Sequence, residues 1–125
     1  RFASDPTKDF YPVSEWKGKT AELALSLDVI YHLIEDGVFT QYMETLFDAA
    51  ERFVAIYASN DEKLNALLGG HVKHVRHRKF TDWIVKNRAA DWELLDWVPN
   101  SYPFDIRDQN NTSFADFYLF RRLKK

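Results

Sequence analysis

Cysteine is absent from this 125-residue sequence, which excludes disulfides, thiolate metal sites and a cysteine nucleophile together. No apolar run approaches the ~18 residues that a membrane-spanning helix needs, and no signal-peptide pattern opens the chain. Basic residues are not in excess either: the net charge is −2, so the chain as a whole offers no basic face for nucleic acid. We therefore expect a soluble, cytoplasmic protein with neither a membrane nor a nucleic acid as its partner.

What the sequence has in quantity is apolar and aromatic side chains. Hydrophobic residues make up 46% of the chain and aromatic residues 16%, which is enough to build a core and argues against disorder. The length predicts a single α/β domain over residues 1–125. The chain begins at Arg1 without an initiator methionine, so it is expected to be a processed product or part of something longer.

The fold prediction centres on the nearly unbroken apolar run at residues 23–27. Such a run predicts a strand covered on both faces in a parallel sheet, although a buried helix segment gives the same pattern. The Gly18-Lys19-Thr20 turn before it and a clear helix after it favour the strand. Because ligands bind beyond the carboxyl ends of strands in open α/β sheets, Ser26 and Asp28 become candidate site residues.

The remaining pattern predicts a sheet with crossover helices. An amphipathic helix at 36–51 and an apolar strand at 53–58 complete a βαβ unit. A short helix at 61–68 capped by Asn60, and a later helix capped by Thr81, are expected next. Strands at 92–98 and 113–119 follow without an intervening helix, which predicts an antiparallel pair before a solvated end at 120–125. Residues 9–13 are a short edge-strand candidate, because Pro12 removes a ladder donor.

This order of elements, with these residues, resembles the C-terminal part of class I S-adenosylmethionine-dependent methyltransferases. Residues 25–36, Leu-Ser-Leu-Asp-Val-Ile-Tyr-His-Leu-Ile-Glu-Asp, look like the motif after the fourth strand of the small-molecule families, where a leucine-His-hydrophobic-acid ending is common. Residues 77–83 and 114–118 resemble segments of one bacterial branch. The resemblance covers nearly the whole chain. It implies a Rossmann-like sheet, S-adenosylmethionine as methyl donor and a small-molecule acceptor, without identifying that acceptor.

The chain departs from this family in its glycines. None of its four glycines, Gly18, Gly37, Gly69 and Gly70, forms the family's glycine-rich loop, and the acidic residue for the ribose is also missing. Aligned by order, residues 9–13 would be the third strand and residues 23–27 the fourth. The family's first two strands, which lie between those in the sheet, are then absent. Three alternatives remain: a preceding segment supplies them, another chain does, or the third strand has repacked.

The resemblance also assigns candidate site residues. The methionine end of the cofactor would lie against Ser26, Leu27 and Asp28, and the adenine against Ser14, Glu15 and Trp16. Asp28 or His32 could act as the base for the acceptor's proton. The structural alternatives are that Asp28 caps its turn, that His32 is a structural histidine and that Trp16 packs in the core.

The resemblance is less specific about the residues that bind the acceptor. The candidate substrate-binding residues are Tyr31, Tyr57, Arg76, His77, Arg78 and Asp116. The arginines could clamp an anionic acceptor or belong to a solvated loop, and either could pair with Asp116. Tyr57 could border the acceptor or simply pack. His71, His74 and His77 are spaced by three among basic residues that repel cations, so no metal site is expected.

Two functions are therefore compared. The first is methyl transfer from S-adenosylmethionine to a small acceptor, anionic acceptors included, by the C-terminal part of a longer enzyme. The second is a non-catalytic half-domain that pairs with a second copy or another chain through an exposed sheet edge.

Overall fold

A computed structural model describes residues 6–68 and 74–124, which form one mixed sheet with helices. The strands are β1 (Ala21–Leu27), β2 (Ala50–Ala58), β3 (Trp92–Val98) and β4 (Asp116–Arg122). The helices are α1 (Asp36–Asp48), α2 (Lys63–Leu67) and α3 (Phe80–Arg88), with short 3₁₀ turns at Val13–Glu15, Ile30–His32 and Ile106–Asp108. None of the described helices has the length and apolar character needed to cross a membrane.

The strand order is β1-β2-β4-β3. β1 and β2 are parallel and joined by α1, whereas β4 is antiparallel to both β2 and β3. The predicted fold class is confirmed: parallel strands with a crossover helix lead to a final antiparallel pair.

Phe47 lies at the centre of the core. The apolar face of α1 buries Phe39, Met43, Leu46 and Phe47, which follow helical spacing. The Phe47 ring lies 5.1 Å from that of Trp92 and 5.9 Å from that of Phe120, so it joins α1 to the two antiparallel strands. Burying a phenylalanine side chain contributes about 1.5–3 kcal/mol to folding.

The third helix packs on the same side of the sheet. Phe80 and Ile84 of α3 are buried in the same core cluster, and the Phe80 ring meets Tyr118 of β4 edge-on at 5.1 Å. Ala50, Val54, Ile56 and Ala58 of β2 belong to this cluster, and Val54 and Ile56 are fully buried. The core therefore lies between one face of the sheet and helices α1 and α3.

The opposite face of β1 is open, which corrects the expectation of a strand covered on both faces. Leu23, Leu25 and Leu27 are 45%, 55% and 50% exposed. The apolar run was read correctly as a strand. The described residues supply a helical layer on one side of it only, and β1 lies at the edge of the sheet.

The strand expected at residues 9–13 was wrong. Pro12 has no N–H to donate, and its carbonyl accepts a hydrogen bond from the Glu15 amide at 2.9 Å, which closes the 3₁₀ turn. The carbonyl that a strand would use in a ladder is thus committed to a turn.

Several boundaries and caps also differ. The last strand begins at Asp116 rather than residue 113 and continues through Phe120, which is 3% exposed, so residues 120–122 are not a solvated end. Asn60 does not cap α2, and Thr81 does not cap α3. Asn60 instead bonds Thr81 in the first turn of α3: its amide donates to Thr81 Oγ1 at 2.9 Å, and its side-chain oxygen accepts from the Thr81 N–H at 3.2 Å. Gly69, Gly70 and His71 fall outside the described residues.

Candidate functional site at the carboxyl ends of the strands

Asp28 follows β1 directly and turns the chain sharply. Its φ of 60° lies in the left-handed region, which aspartate tolerates better than most residues. Its N–H donates to the carbonyl of Tyr57 at 2.9 Å, so the turn is tied to the end of β2. A left-handed non-glycine residue costs about 1–3 kcal/mol, and such residues cluster at functional sites. The turn that carries the exposed Asp28 side chain is therefore fixed to the end of β2.

The 3₁₀ turn Ile30–His32 places two ring side chains beside Asp28. Ile30 is 1% exposed and anchors the turn in the core. The Tyr31 hydroxyl donates to the Asp28 carboxylate at 2.7 Å, and the Tyr31 and His32 rings lie 4.5 Å apart. Burial and, after it, the hydrogen bond to the Asp28 carboxylate raise the pKa of Tyr31 well above its usual value. Tyr31 is consequently a proton donor in a hydrogen bond, not a base.

His32 is oriented by the segment that precedes α3. Its Nδ1 lies 3.1 Å from the carbonyl oxygen of His74, and a carbonyl can only accept, so Nδ1 carries the proton. In the neutral imidazole the free lone pair then lies on Nε2. The Arg76 amide donates to the carbonyl of Tyr31 at 2.8 Å, which fixes the same segment to the turn.

Arg78 supports the chain that leaves this turn. Its guanidinium donates to the carbonyls of Leu33 and Ile34 at 3.1 and 2.7 Å and to the Asp36 carboxylate at 2.7 Å. Arg76 also reaches Asp36, at 2.9 Å. The hydrogen bond from Arg78, followed by the charge of Arg76, lowers the pKa of Asp36. The structure thus places both candidate clamp arginines on the protein's own acceptors.

His77 lies in a buried cluster behind Tyr31. It is 2% exposed, and its Nδ1 lies 2.6 Å from the hydroxyl of Ser59, the residue that follows β2. The Asn65 side chain accepts from the His77 N–H and donates to its carbonyl, both at 2.8 Å. The His77 Nε2 is buried and has no hydrogen-bond partner among residues 6–68 and 74–124. Burial lowers the pKa of His77, against a smaller opposing effect of the Asp61 carboxylate.

The loop before β4 closes the other side. The Phe114 ring meets Tyr31 edge-on at 5.2 Å and His77 at 4.7 Å. Tyr57 bonds the Ser113 hydroxyl at 2.9 Å. Together with the turn after β1, these rings give the carboxyl edge an aromatic wall.

Asp116 does not pair with either arginine, contrary to expectation. Its carboxylate accepts from the backbone N–H of Asn100 at 2.8 Å and from the indole N–H of Trp97 at 3.2 Å. The Asn100 amide also donates to the carbonyls of Ser113 and Ala115 at 2.9 and 2.7 Å. Asp116 therefore organises the loop between β3 and β4.

Ser26 and Leu27 point to opposite faces of β1. Ser26 is buried on the helical side, where its hydroxyl accepts a hydrogen bond from Tyr42 at 2.8 Å. Burial raises the pKa of Tyr42. Leu27 lies half-exposed on the open face. Of Ser26, Leu27 and Asp28, only the last two therefore have exposed side chains.

Residues 14–16 lie at the other end of β1. Trp16 Nε1 donates to the carbonyl of Lys19 at 2.7 Å, just before β1 begins, and this segment borders an open groove lined by Tyr11, Glu15, Lys17 and Lys19. Seven strand residues at about 3.3 Å each separate the two ends of β1 by roughly 20 Å. The structure does not bring Ser14, Glu15 and Trp16 together with Asp28.

Sequence reasoning missed Ser59 and Phe114 as members of this cluster. One signal was available for Ser59, because it directly follows the second apolar run and must lie at the same sheet edge as Asp28. No set of three histidine, aspartate or glutamate side chains suited to a metal ion occurs in residues 6–68 and 74–124.

The fold is similar to that of a solved methyltransferase. Magnesium protoporphyrin IX methyltransferase from Synechocystis PCC 6803, crystallised with bound SAH, superposes with a TM-score of 0.60 at 14% identity. The match covers 90% of this chain and 49% of that one, so this chain spans about half the length of the enzyme it matches. No protein-family model matches the sequence, and no curated protein does. At this identity the likeness establishes a shared fold.

Proposed function

We propose that this chain is the acceptor-side half of an S-adenosylmethionine-dependent methyltransferase that acts on a small molecule as the C-terminal part of a longer enzyme. The observation that carries the proposal is the strained turn at Asp28. It places a carboxylate, a tyrosine and a histidine at the carboxyl end of a parallel strand, in a fold similar to that of a methyltransferase with bound SAH. Strand ends of this kind are where open α/β sheets bind ligands.

The residues at this edge fit one end of the cofactor. S-adenosylmethionine supplies a methyl group on a positively charged sulfur, and its methionine end carries an ammonium group. The exposed Asp28 carboxylate and the half-exposed Leu27 offer a negative charge beside an apolar surface. Gly18 and Gly37, the glycines within the described residues, lie before β1 and in the first turn of α1, so this edge of the described sheet lacks a glycine-rich turn. The proposal therefore assigns the adenosine end to a part of the enzyme outside this chain.

His32 is the better candidate for the base. Asp28 already accepts a hydrogen bond from Tyr31, whereas Nε2 of His32, which carries the lone pair of the neutral imidazole, bonds none of the described residues. Methyl transfer to a hydroxyl or amine acceptor releases a proton, and a positioned base that takes it contributes typically about 10²–10⁴-fold. Alignment of donor and acceptor and exclusion of water supply the rest.

The aromatic wall suits a small acceptor. The Tyr31 and Phe114 rings meet edge-on, His77 contacts both of them, and Tyr57 bonds Ser113 in the loop before β4. An anionic acceptor would have to compete with Asp36 for Arg76, whose side chain is 44% exposed, while Arg78 is 11% exposed and engaged on backbone carbonyls. Asp116 is assigned to the loop and not to the acceptor.

Calorimetric titration with S-adenosylhomocysteine tests the cofactor part. The complete gene product should bind it, and Asp28→Asn should weaken binding at least tenfold, because a charge next to the methionine end is lost. Asp96→Asn, an exposed position on β3, is the matched control. Absence of heat at millimolar ligand with the complete product would remove the proposal.

The base is tested by turnover once an acceptor has been found among small molecules supplied with radiolabelled methyl donor. His32→Gln should lower kcat by about 10²-fold or more. His74→Gln keeps the backbone carbonyl that orients His32 and should leave kcat unchanged. Equal rates for both variants would assign His32 a structural role.

The second candidate function is a non-catalytic half-domain. The observation that favours it is the outer edge of β1, which pairs with no other strand in the described part of the chain. Under this reading the complete product binds no S-adenosylhomocysteine, and the Asp28 turn only closes the sheet edge.

A further inference from the structure

Three neighbouring groups fix Tyr31, and two of them belong to consecutive residues before α3. The Arg76 amide donates to the Tyr31 carbonyl at 2.8 Å, which fixes the backbone. The His77 ring is stacked on the Tyr31 ring, with 6.0 Å between the centroids and 21° between the planes. The Phe114 ring meets both rings edge-on, at 5.2 Å from Tyr31 and 4.7 Å from His77. The direction of the Tyr31 side chain therefore depends on the two rings beside it.

The orientation of the His77 ring is itself fixed by polar contacts. Its Nδ1 lies 2.6 Å from the hydroxyl of Ser59, which is 1% exposed, so water does not compete for this hydrogen bond. The Asn65 side chain bonds both the N–H and the carbonyl of His77, each at 2.8 Å. Together these contacts set the backbone of His77 and the rotation of its ring. Because Ser59 directly follows β2, the ring is tied to the sheet edge that carries Asp28.

Histidine is a costly residue for a position that apolar packing alone would fill. The His77 side chain is 2% exposed, and its Nε2 has no hydrogen-bond partner among residues 6–68 and 74–124. A buried polar atom without a partner is destabilising. A phenylalanine would pack between the Tyr31 and Phe114 rings without this penalty, but it would have no bond to Ser59. What the imidazole adds is a fixed ring orientation.

We infer that His77 is a positioning residue: its bond to Ser59 sets the orientation of its ring, and the stacked ring directs the Tyr31 hydroxyl onto the Asp28 carboxylate. That hydroxyl donates to the carboxylate at 2.7 Å. Because His77 is 2% exposed, its influence on a ligand has to pass through Tyr31. The effect on a ligand rests on the proposed function, in which the Asp28 carboxylate meets the positively charged methionine end of S-adenosylmethionine.

A merely structural role for His77 leads to a different expectation. In that case the loss of the Ser59 bond lowers stability, and the hydrogen bond from Tyr31 to Asp28 stays as it is. Any other change that loosens the core to a similar degree then has the same effect. The two roles are therefore distinguished by the state of the Tyr31 hydroxyl.

Tyrosine labelled with ¹³C at Cζ reports that state, because the chemical shift of this carbon responds to the hydrogen bond of its hydroxyl. In the complete gene product, Tyr31→Phe identifies the Tyr31 signal, and Asp28→Asn gives its position when the carboxylate is lost. Ser59→Ala and His77→Phe each remove the bond between these two residues, one from either side. Ile84→Val removes a methyl group from the same core cluster and is the control for a general loss of stability.

Ser59→Ala and His77→Phe should each move the Tyr31 signal at least halfway to its position in Asp28→Asn, and Ile84→Val should leave it in place. Should His77→Phe fold poorly, Ser59→Ala is sufficient for the test, because it removes a single hydroxyl group. An unmoved Tyr31 signal in folded Ser59→Ala would overturn the inference. An equal shift in Ile84→Val would overturn it too, since the effect would then be general.

Calorimetric titration with S-adenosylhomocysteine tests the effect on a ligand. Ser59→Ala should raise the Kd by about threefold or more when Asp28 is present and should have no further effect in Asp28→Asn, because both changes act on one carboxylate. Equal effects in the two backgrounds would overturn the route through Tyr31 and Asp28. A moved Tyr31 signal in a protein that binds no S-adenosylhomocysteine would retain the positioning of Tyr31 and refute the methyltransferase proposal. Binding with an unmoved signal would do the reverse.

Discussion

His77 should make the stability of this chain depend on pH. It is 2% exposed, and the groups that face it are Ser59, Asn65, the rings of Tyr31 and Phe114, and at longer range Asp61. None of these except Asp61 favours the charged imidazolium. Burial lowers the pKa of His77 in the folded state, so the unfolded chain binds the proton more tightly.

The sign and size of the effect follow from linkage. Because the folded pKa lies below the unfolded value of about 6.5, the unfolded state binds more protons as the pH falls, and stability is lost below about pH 6.5. One proton changes the free energy of unfolding by about 1.4 kcal/mol per pH unit at most. Between about pH 7.5 and about pH 5.5 the loss from His77 is therefore at most about 1.4 kcal/mol, the limit for an imidazole that stays neutral when folded.

Urea unfolding at several pH values measures this loss. Other groups titrate in the same pH window, so the wild type is compared with His77→Gln. In this variant the free energy of unfolding should depend less steeply on pH, because the contribution of His77 is lost. His32→Gln, at an exposed position, should keep that contribution. If His77→Gln and the wild type show the same pH dependence, the reasoning from burial is refuted.

Three further outcomes are expected in the same unfolding assay. Phe47→Ala should cost about 3–5 kcal/mol because it empties the centre of the core, whereas Val85→Ala, at an exposed site, should change stability by less than about 0.5 kcal/mol. Arg78→Lys should cost about 1–3 kcal/mol, since an ammonium group cannot serve two carbonyls and Asp36 in the same geometry. Leu25→Thr should change the stability of the 125-residue chain by less than about 0.5 kcal/mol.

The sequence was sufficient to predict the four strands and α1, because the hydrophobic pattern of each segment agrees with the structure that the segment adopts. The continuous apolar run of β2 is typical of a strand along its whole length. The apolar residues of α1 keep helical spacing from one end of the helix to the other. Residues 9–13 are one exception, and the start of β4 is another, because aromatic residues lie on both sides of Asp116, at Phe114 and from Phe117 onward. The strand starts at Asp116 because the Asn100 side chain holds the carbonyls of Ser113 and Ala115 in the loop, and no local pattern encodes that contact.

The candidate site could be located but not assembled from the sequence. Asp28 was found by its position after a strand, which is a local feature. The contacts of Arg78 with Leu33 and of Ser59 with His77 join residues that are 45 and 18 positions apart. Charge pattern alone suggests that Arg78 is free for a ligand; the fold instead uses it to complete the hydrogen bonds of a turn.

The apolar run of β1 explains why Leu25→Thr should be tolerated here. A strand buried on both faces would lose apolar contacts and gain an unsatisfied hydroxyl on this change, at a cost of about 1–3 kcal/mol or more. In this chain Leu25 is 55% exposed on a face that no described residue covers, so the threonine hydroxyl meets water and little burial is lost. The same substitution in a polypeptide that covers the face should be destabilising by the larger amount. A large cost in the 125-residue chain would mean that the face is already covered, and a small cost in the complete product would mean that it is never covered.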